Sequence, residues 1–392
     1  MKQRFHYFAP CPRGLEALLA QELNGLGAAE VKPTDGGVSF AGDWLLLMRA
    51  NLHSRLASRI LWRLAVKPYR NEEDLYQLAR GFDWPELFDV SRTIKVVMTA
   101  QGSPLRSLDF AALKVKDAVC DRFRAKLGER PSVDTADPDL RIHVYLTERE
   151  ASLYLDTSGE ALFKRGYRVA TGAAPLRENL AAGILQLAGW TPEQPLLDPM
   201  CGSGTFLVEA AMMALDMAPG LDRSFAFEGL RNFSADAWAK LCDEAHARCQ
   251  PPRPLAIFGS DYDQAMLDAT YANLDRFGLA DCVTLERTDF LSRSAPAPEG
   301  VIVSNPPYGI RLDEQEQLAA FYPQLGDALK RSFKGWRAYF LTGDLRMAKL
   351  IRLSASKRTV LFNGALECRL FEFKMVEGSN RRIKPGEQAE NQ

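Results

Sequence analysis

Asp198 closes the apolar pair Leu196-Leu197 and is followed by Pro199, Met200, Cys201, Gly202, Ser203, Gly204 and Thr205. A carboxylate and two glycines therefore separate a short strand from an apolar helix. Glycines in such a turn let the backbone approach a ligand, and the helix behind it offers free N–H groups. The third glycine of a dinucleotide fingerprint is missing, and so is the Gly-Lys-Ser/Thr of a phosphate loop. An aspartate here is a poor neighbour for phosphate and a good acceptor for an ammonium group. Further on, AIFGSD ends in Asp261, whose carboxylate can take both hydroxyls of a ribose, and VTLERTD ends in Asp289, placed to accept from an adenine amine. Each aspartate alone also reads as a helix cap or turn residue, Asp261 above all. In this order, at the ends of successive strands, they describe a ligand with a positive centre, a ribose and an adenine. S-adenosylmethionine fits that description.

The stretch VIVSNPPYGIR, 301–311, runs a buried-looking strand straight into Asn305, Pro306, Pro307 and Tyr308. Neither proline has an N–H for a ladder, so the strand stops at a fixed place. Each proline also holds the residue before it extended. The Asn305 side-chain oxygen and the Pro306 carbonyl could then accept from one amino group, with the Tyr308 ring beside it. The same residues would equally make a rigid turn around a buried aromatic.

The chain that must position these groups has 392 residues, 46% hydrophobic and 25% charged, with a formal net charge of -1. That length carries two or three domains, and the charge announces no global field for nucleic acid, although a local basic patch can hide in a neutral sum. The seven cysteines are dispersed, with no C-x-x-C pair, and the four histidines are scattered. Neither a disulfide framework nor a metal site is expected. No run approaches membrane-spanning length, so the expected compartment is the cytoplasm.

Periodicity predicts helices in GLEALLAQELNGLG, in WLLLMRANLHSRLASRI, around Leu75–Arg80 and in FAALKVKDAVCDRFRAKLG, and strands in GGVSFAG, TIKVVMTA, IHVYLTE and ASLYLDT, the last two as a hairpin. Beyond a glycine-rich basic connector the pattern changes. Strands LLDP, AIFGSD, VTLE, VIVSN and AYFLTG alternate with helices, as in a mostly parallel doubly wound sheet. Pro219–Pro254 reads as an insertion beside the first strand–helix unit, and Asn363-Gly364 as the turn of a final hairpin.

Asp198-Pro-Met-Cys-Gly-Ser-Gly-Thr205 together with Asn305-Pro-Pro-Tyr308 resembles the class I methyltransferases that act on exocyclic or amide nitrogen. The resemblance implies a Rossmann-like α/β domain, S-adenosylmethionine as cofactor, and binding by Asp198, Pro199, Cys201, Gly202, Gly204, Thr205, Asp261, Asp289 and Asn305. It also implies that Asn305, Pro306, Pro307 and Tyr308 hold the target amine, which in such families belongs to adenine N6, guanine N2, cytosine N4 or a glutamine. Cys201 is expected only to pack there.

The first half extends the likeness. GLEALLAQELNGLG, LRSLDFAALKVKDAVCDRF, DPDLRIHVYL, ASLYLDTSG and FKRGYR…APLRENLAA resemble the bacterial family of 23S rRNA guanine-N2 methyltransferase L, including its THUMP RNA-binding domain. The implied division is a ferredoxin-like α/β region over 1–66, a THUMP domain over 67–157 that could begin near 45, a linker over 158–175, a methyltransferase domain over 176–378 and a disordered tail over 379–392. The second methyltransferase fused behind some members is not expected here. The partner implied is large-subunit ribosomal RNA or its precursor particle. The residues themselves offer Lys114 and Lys116 on a predicted helix, where Asp117 and Asp121 could equally neutralise them, and Lys164, Arg165 and Arg168 around Tyr167, a basic run that could hold phosphates and stack a base. A tRNA guanine-N2 methyltransferase, an adenine-N6 or protein-glutamine N-methyltransferase and a non-enzymatic ribosome-assembly factor stay open as alternatives. Oligomeric state is unknown.

Overall fold

Strict alternation in LRIHVYL predicts a half-buried strand, and residues 140–146 do alternate between buried and half-buried along a sheet. The computed structural model describes residues 4–169, 176–306 and 312–376. Two compact units form, the first from the residues up to Gly166 together with Asp216–Gln250, the second from Tyr167–Leu215 and the residues from Pro251 onward.

The first unit holds one seven-stranded sheet. Its strands are β1 (Phe5–Pro10), β2 (Ala29–Thr34), β3 (Gly37–Gly42), β4 (Leu61–Pro68), β5 (Ile94–Ala100), β6 (Leu140–Leu146) and β7 (Glu150–Asp156). They lie in the order β2-β3-β1-β4-β7-β6-β5. Only the β5–β6 pairing is parallel. β4 pairs with β1 on one side and β7 on the other, so the sheet runs unbroken through the 66/67 boundary that the sequence suggests.

The helix expected to run from Trp44 to Ile60 stops at His53. Ser54 turns extended there, its hydroxyl donating to the Glu22 carboxylate and accepting from Ala57 N. A side chain that satisfies distant polar groups competes with the next helical turn. The insertion also differs from expectation. Asp216–Gln250 belongs to the first unit, held by Gly220 N to Leu52 O, Phe227 N to Thr157 O and Arg231 N to Leu87 O. Phe225, Phe227, Phe233 and Trp238 form its aromatic cluster, with Phe225 and Phe227 stacked at 5.1 Å.

The second unit is the expected doubly wound α/β sheet. Its strands are β8 (Leu196–Asp198), β9 (Ile257–Asp261), β10 (Thr284–Arg287), β11 (Gly300–Ser304), β12 (Trp336–Thr342), β13 (Lys357–Asn363) and β14 (Leu366–Lys374). The order is β10-β9-β8-β11-β12-β14-β13. β10 through β12 are parallel, and the β13–β14 hairpin adds the antiparallel edge, with Gly364 at φ +67 in its turn. The strand order reverses at β8, whose neighbours are β9 and β11. Ligands of such sheets bind beyond the strand ends at that reversal.

Candidate active site

The turn after β8 is built to bring backbone, not side chains, to the sheet's carboxyl edge. Gly202 and Gly204 take φ of +53 and +79, the left-handed region that costs an L side chain. A Cβ on Gly204 would sit 2.6 Å from Thr270 Cγ2, whereas one on Gly202 would meet open space. Helix Gln264–Asp275 braces the turn from behind: Thr270 Oγ1 donates to Gly202 O at 2.7 Å and Asn273 Nδ2 to Ser203 O at 2.9 Å. Ser260, on β9, receives the Cys201 amide at 2.9 Å and donates its hydroxyl to Pro199 O. The turn delivers the chain to Thr205, the first residue of helix Thr205–Ala214, whose N-terminus has no side-chain cap. Its amide dipoles are turned toward whatever lies beyond the strand ends.

The acidic residues surround this turn. Asp198 is 2% exposed, and both Ser304 Oγ (2.8 Å) and Met200 N (3.3 Å) donate to its Oδ1. Burial lifts its carboxyl to about 7; those two donors pull it down, and the charge of Asp261 pushes with the burial. Asp261 accepts from Gly202 N at 2.9 Å and from Asp263 N at 3.0 Å, so it also shapes the glycine turn. A carboxylate has about four acceptor positions, so two amides leave capacity for ribose hydroxyls. Asp289 is exposed and caps the short turn Phe290–Ser292 through Leu291 N at 2.9 Å. Cys201 is buried, its thiol pushed well up by desolvation, and Sγ packs 3.7 Å from Thr270 Oγ1. At the end of β11, Asn305 is half-buried and Pro306 buried. Pro307 and Tyr308, like the tail over 379–392, lie outside the described residues.

Residues 165–372 match the RMKL-like methyltransferase domain, residues 69–156 a THUMP domain and residues 6–61 the RlmL ferredoxin-like domain. The chain belongs to the RMKL-like methyltransferase family. Over 370 residues this methyltransferase is 41% identical to a Synechocystis protein named as an RNA methyltransferase, covering 94% of this chain and 96% of that one. Over 405 residues it is 42% identical to ribosomal RNA large subunit methyltransferase K/L of Pseudomonas entomophila, covering 99% of this chain and 56% of that longer protein. A solved structure named as a methyltransferase complexed with SAH superposes with a TM-score of 0.87 at 31% identity, covering 97% of this chain and 100% of that one. S-adenosylmethionine is the cofactor of this methyltransferase family. The donor set fits it: one nearly buried carboxylate for an ammonium, a second within reach of the glycine turn, and open space over Gly202.

Among the residues expected to touch RNA, the structure corrects the connector. Tyr167 is fully buried, its ring meeting Phe277 edge-on at 5.8 Å. Arg165 is 2% exposed and donates to Leu162 O and Arg55 O. Both are fixed inside the protein because buried carbonyls need donors and a buried ring gains from burial. Arg168 is also turned inward, onto Glu178, Leu176 O, Ser203 and Thr205. Lys164 stays exposed and pairs with Glu160 at 2.8 Å. Lys114 pairs with Glu73 at 3.8 Å and Lys116 with Asp117, so their helix face is largely neutralised.

Two features escape sequence reasoning. Tyr262 directly follows Asp261 and is 74% exposed, a flat ring standing free beside the ribose candidate. Its signal was its place one residue after a strand-end acid. The second is a cleft of about 1130 Å³ in the first unit, lined among others by Arg92, Asp139, Arg141, Lys164, Arg223 and Phe225. Its residues come from five separate stretches, so no local pattern announces it. Among the described residues, no cluster of His, Cys, Asp and Glu could hold a metal ion, and no helix is long and apolar enough to cross a membrane.

Proposed function

We propose that this methyltransferase transfers a methyl group from S-adenosylmethionine to the exocyclic N2 of a guanine in 23S ribosomal RNA, free or in a precursor particle, in the cytoplasm. The observation that carries the reading is the placement of Asn305 one residue beyond Ser304, which itself donates to Asp198. An amine acceptor thereby stands next to the strand end that holds the cofactor's charged group. The names of the two curated relatives and the THUMP match support RNA as the substrate class.

S-adenosylmethionine supplies a methyl group already activated on a sulfonium, so the protein's share is alignment and exclusion of water. Asp198 accepts from the amino acid ammonium, Asp261 from the ribose hydroxyls, and Asp289 from the adenine amine. The Tyr262 ring gives the adenine an apolar face. Asn305 Oδ1 and the Pro306 carbonyl accept the two N–H groups of the guanine amine. Its lone pair is delocalised into the base, and two aligned acceptors stabilise the positive charge that grows on nitrogen as it attacks. The nitrogen–methyl bond would form as the sulfonium–methyl bond breaks, leaving SAH; Asn305 is neutral and takes no proton, which passes to water after transfer. Tyr308 stacks on a base that must be exposed or flipped to reach the strand ends. The division that goes with this reading is an RNA-engaging part over 1–157, a THUMP domain within it over 67–157, a linker over 158–175 and a catalytic domain over 176–378. The segment 216–250 contributes to the former. Within the RNA-engaging part, the cleft around Arg92 and Arg141 is the seat for phosphates.

The test is transfer of labelled methyl from S-adenosylmethionine to separately purified, unmodified large-subunit rRNA and tRNA, followed by nucleoside analysis. N2-methylguanosine in the rRNA is expected. Label in tRNA, in N6-methyladenosine or only in protein would overturn the substrate and leave the methyltransferase.

A further inference from the structure

Arg168 reads in the sequence as part of a basic connector, yet its guanidinium is spent on the cofactor turn. Nε donates to Glu178 Oε1 at 2.9 Å, Nη2 to Leu176 O at 3.0 Å and to Thr205 Oγ1 at 3.2 Å, and Nη1 to Ser203 Oγ at 3.5 Å. The next residue is anchored to the same place, since Val169 N donates to Asn273 Oδ1 at 2.8 Å while Asn273 Nδ2 holds Ser203 O at 2.9 Å. Thr270, one helical turn before Asn273, holds Gly202 O. The stretch Gly202–Thr205 is therefore gripped on one side by helix Gln264–Asp275 and on the other by a single planar cation.

We propose that Arg168 is a positioning residue for cofactor binding, setting the geometry of the Gly202–Thr205 turn through Ser203 and Thr205. The proposal rests on that turn being the cofactor turn. Gly202 has no Cβ contact to stop it drifting, and left-handed glycines have many alternative conformations, so external anchors must select one. A guanidinium suits the task because its planar fork can hold a carboxylate, a carbonyl and two hydroxyls at once, which an ammonium cannot.

The competing role is narrower: Arg168 acting as a bare charge that only neutralises Glu178, which is 5% exposed. Double substitution separates the two. SAH binding by calorimetry and thermal unfolding would be measured on the wild type, R168M, R168K and R168M/E178M. R168M is expected to weaken SAH by about tenfold or more, the loss typical of charge-assisted hydrogen bonds. R168K keeps the ion pair but not the span, and is expected to bind at an intermediate level. R168M/E178M removes the stranded carboxylate, so unfolding temperature should recover while SAH affinity stays low. Recovery of affinity with stability in the double variant, or SAH binding by R168K within about twofold of the wild type, overturns the proposal. R168K also serves if R168M does not fold. Failure of the wild type to bind SAH would strike the cofactor assignment instead, a distinguishable result.

Discussion

Ser304 Oγ donates to Asp198 Oδ1 at 2.8 Å, joining the ends of β11 and β8 across the point where the strand order reverses. One hydroxyl thus links the carboxylate assigned to the cofactor with the residue before Asn305. Asp198 is almost sealed from water, which lifts its carboxyl from 3.8 to about 7. Because the folded value lies above the unfolded one, the group's contribution to stability is full below about pH 4 and lost as pH rises through 7. Binding of an ammonium demands the opposite, an ionised carboxylate. SAH affinity is therefore expected to rise severalfold from pH 6 to 8 and then level. Asp198→Asn should flatten that profile, weaken SAH, and raise the cofactor-free unfolding free energy at pH 8 by on the order of 2 kcal/mol. Calorimetric titrations across pH and thermal melts check both arms; a pH-independent wild type sinks the assignment.

Gly204 and Gly202 share a left-handed backbone but not their surroundings. Gly204→Ala drives a methyl into Thr270, whereas Gly202→Ala meets space. The first is expected to cost about 2–4 kcal/mol, backbone strain plus overpacking, and the second about 1–2 kcal/mol from the backbone alone. Thr270→Ser removes Cγ2 while keeping the bond to Gly202 O, so it should return part of the Gly204→Ala loss in urea unfolding. No such coupling is expected with Gly202→Ala.

The glycine turn, the strand-end acids and the doubly wound sheet were legible because each is a local demand: positive φ requires glycine, and a buried parallel strand reads as an apolar run. Helix Glu178–Leu187 was not, since residues 178–185 are all buried and leave no polar face to give a period. β4 hid because a register shift between Arg63 and Ala65 breaks its alternation. Arg165, Tyr167 and Arg168 misled for a different reason. A cation beside an aromatic looks the same in sequence whether it faces a phosphate or an internal carbonyl, and only the tertiary partners Arg55, Phe277 and Glu178 decide. The destination of Asp216–Gln250 was likewise set by bonds to Leu52, Leu87 and Thr157, far away in the chain.

Tyr262 stands exposed beside Asp261, so its removal should leave folding untouched. Tyr262→Ala is expected to weaken SAH about threefold to tenfold, the worth of one ring contact, with Tyr262→Phe near the wild type. Equal affinity in all three proteins would take the ring out of the site.

Asn305→Ala separates binding from turnover. The side chain is assigned to the amine and Asp198 to the cofactor, so SAH affinity should change by less than about twofold while kcat falls by about 10²–10³, the usual cost of a lost charge-stabilising group. A loss of SAH binding that matched the loss of turnover would move Asn305 from substrate to cofactor.

The cleft in the first unit sets the last expectation. Arg92 pairs with Asp139 at 3.3 Å and Arg141 donates to Gly159 O at 2.8 Å, and both line the cavity with Lys164. The Arg92–Asp139 pair is exposed and worth little to folding, so Arg92 can turn to a phosphate at small cost, while Arg141, half-buried on a backbone carbonyl, offers its remaining N–H groups. Arg92→Ala with Arg141→Ala should weaken binding of large-subunit rRNA fragments and reduce the slope of log K against log salt by about one to two, the count of counterions no longer released. SAH affinity should not move. Charge removal at Lys114 and Lys116, which lie outside the cleft, should change the slope less. If the helix variants lowered the slope more than the cleft variants, the RNA would run along the helix, and the cleft would be a feature of packing.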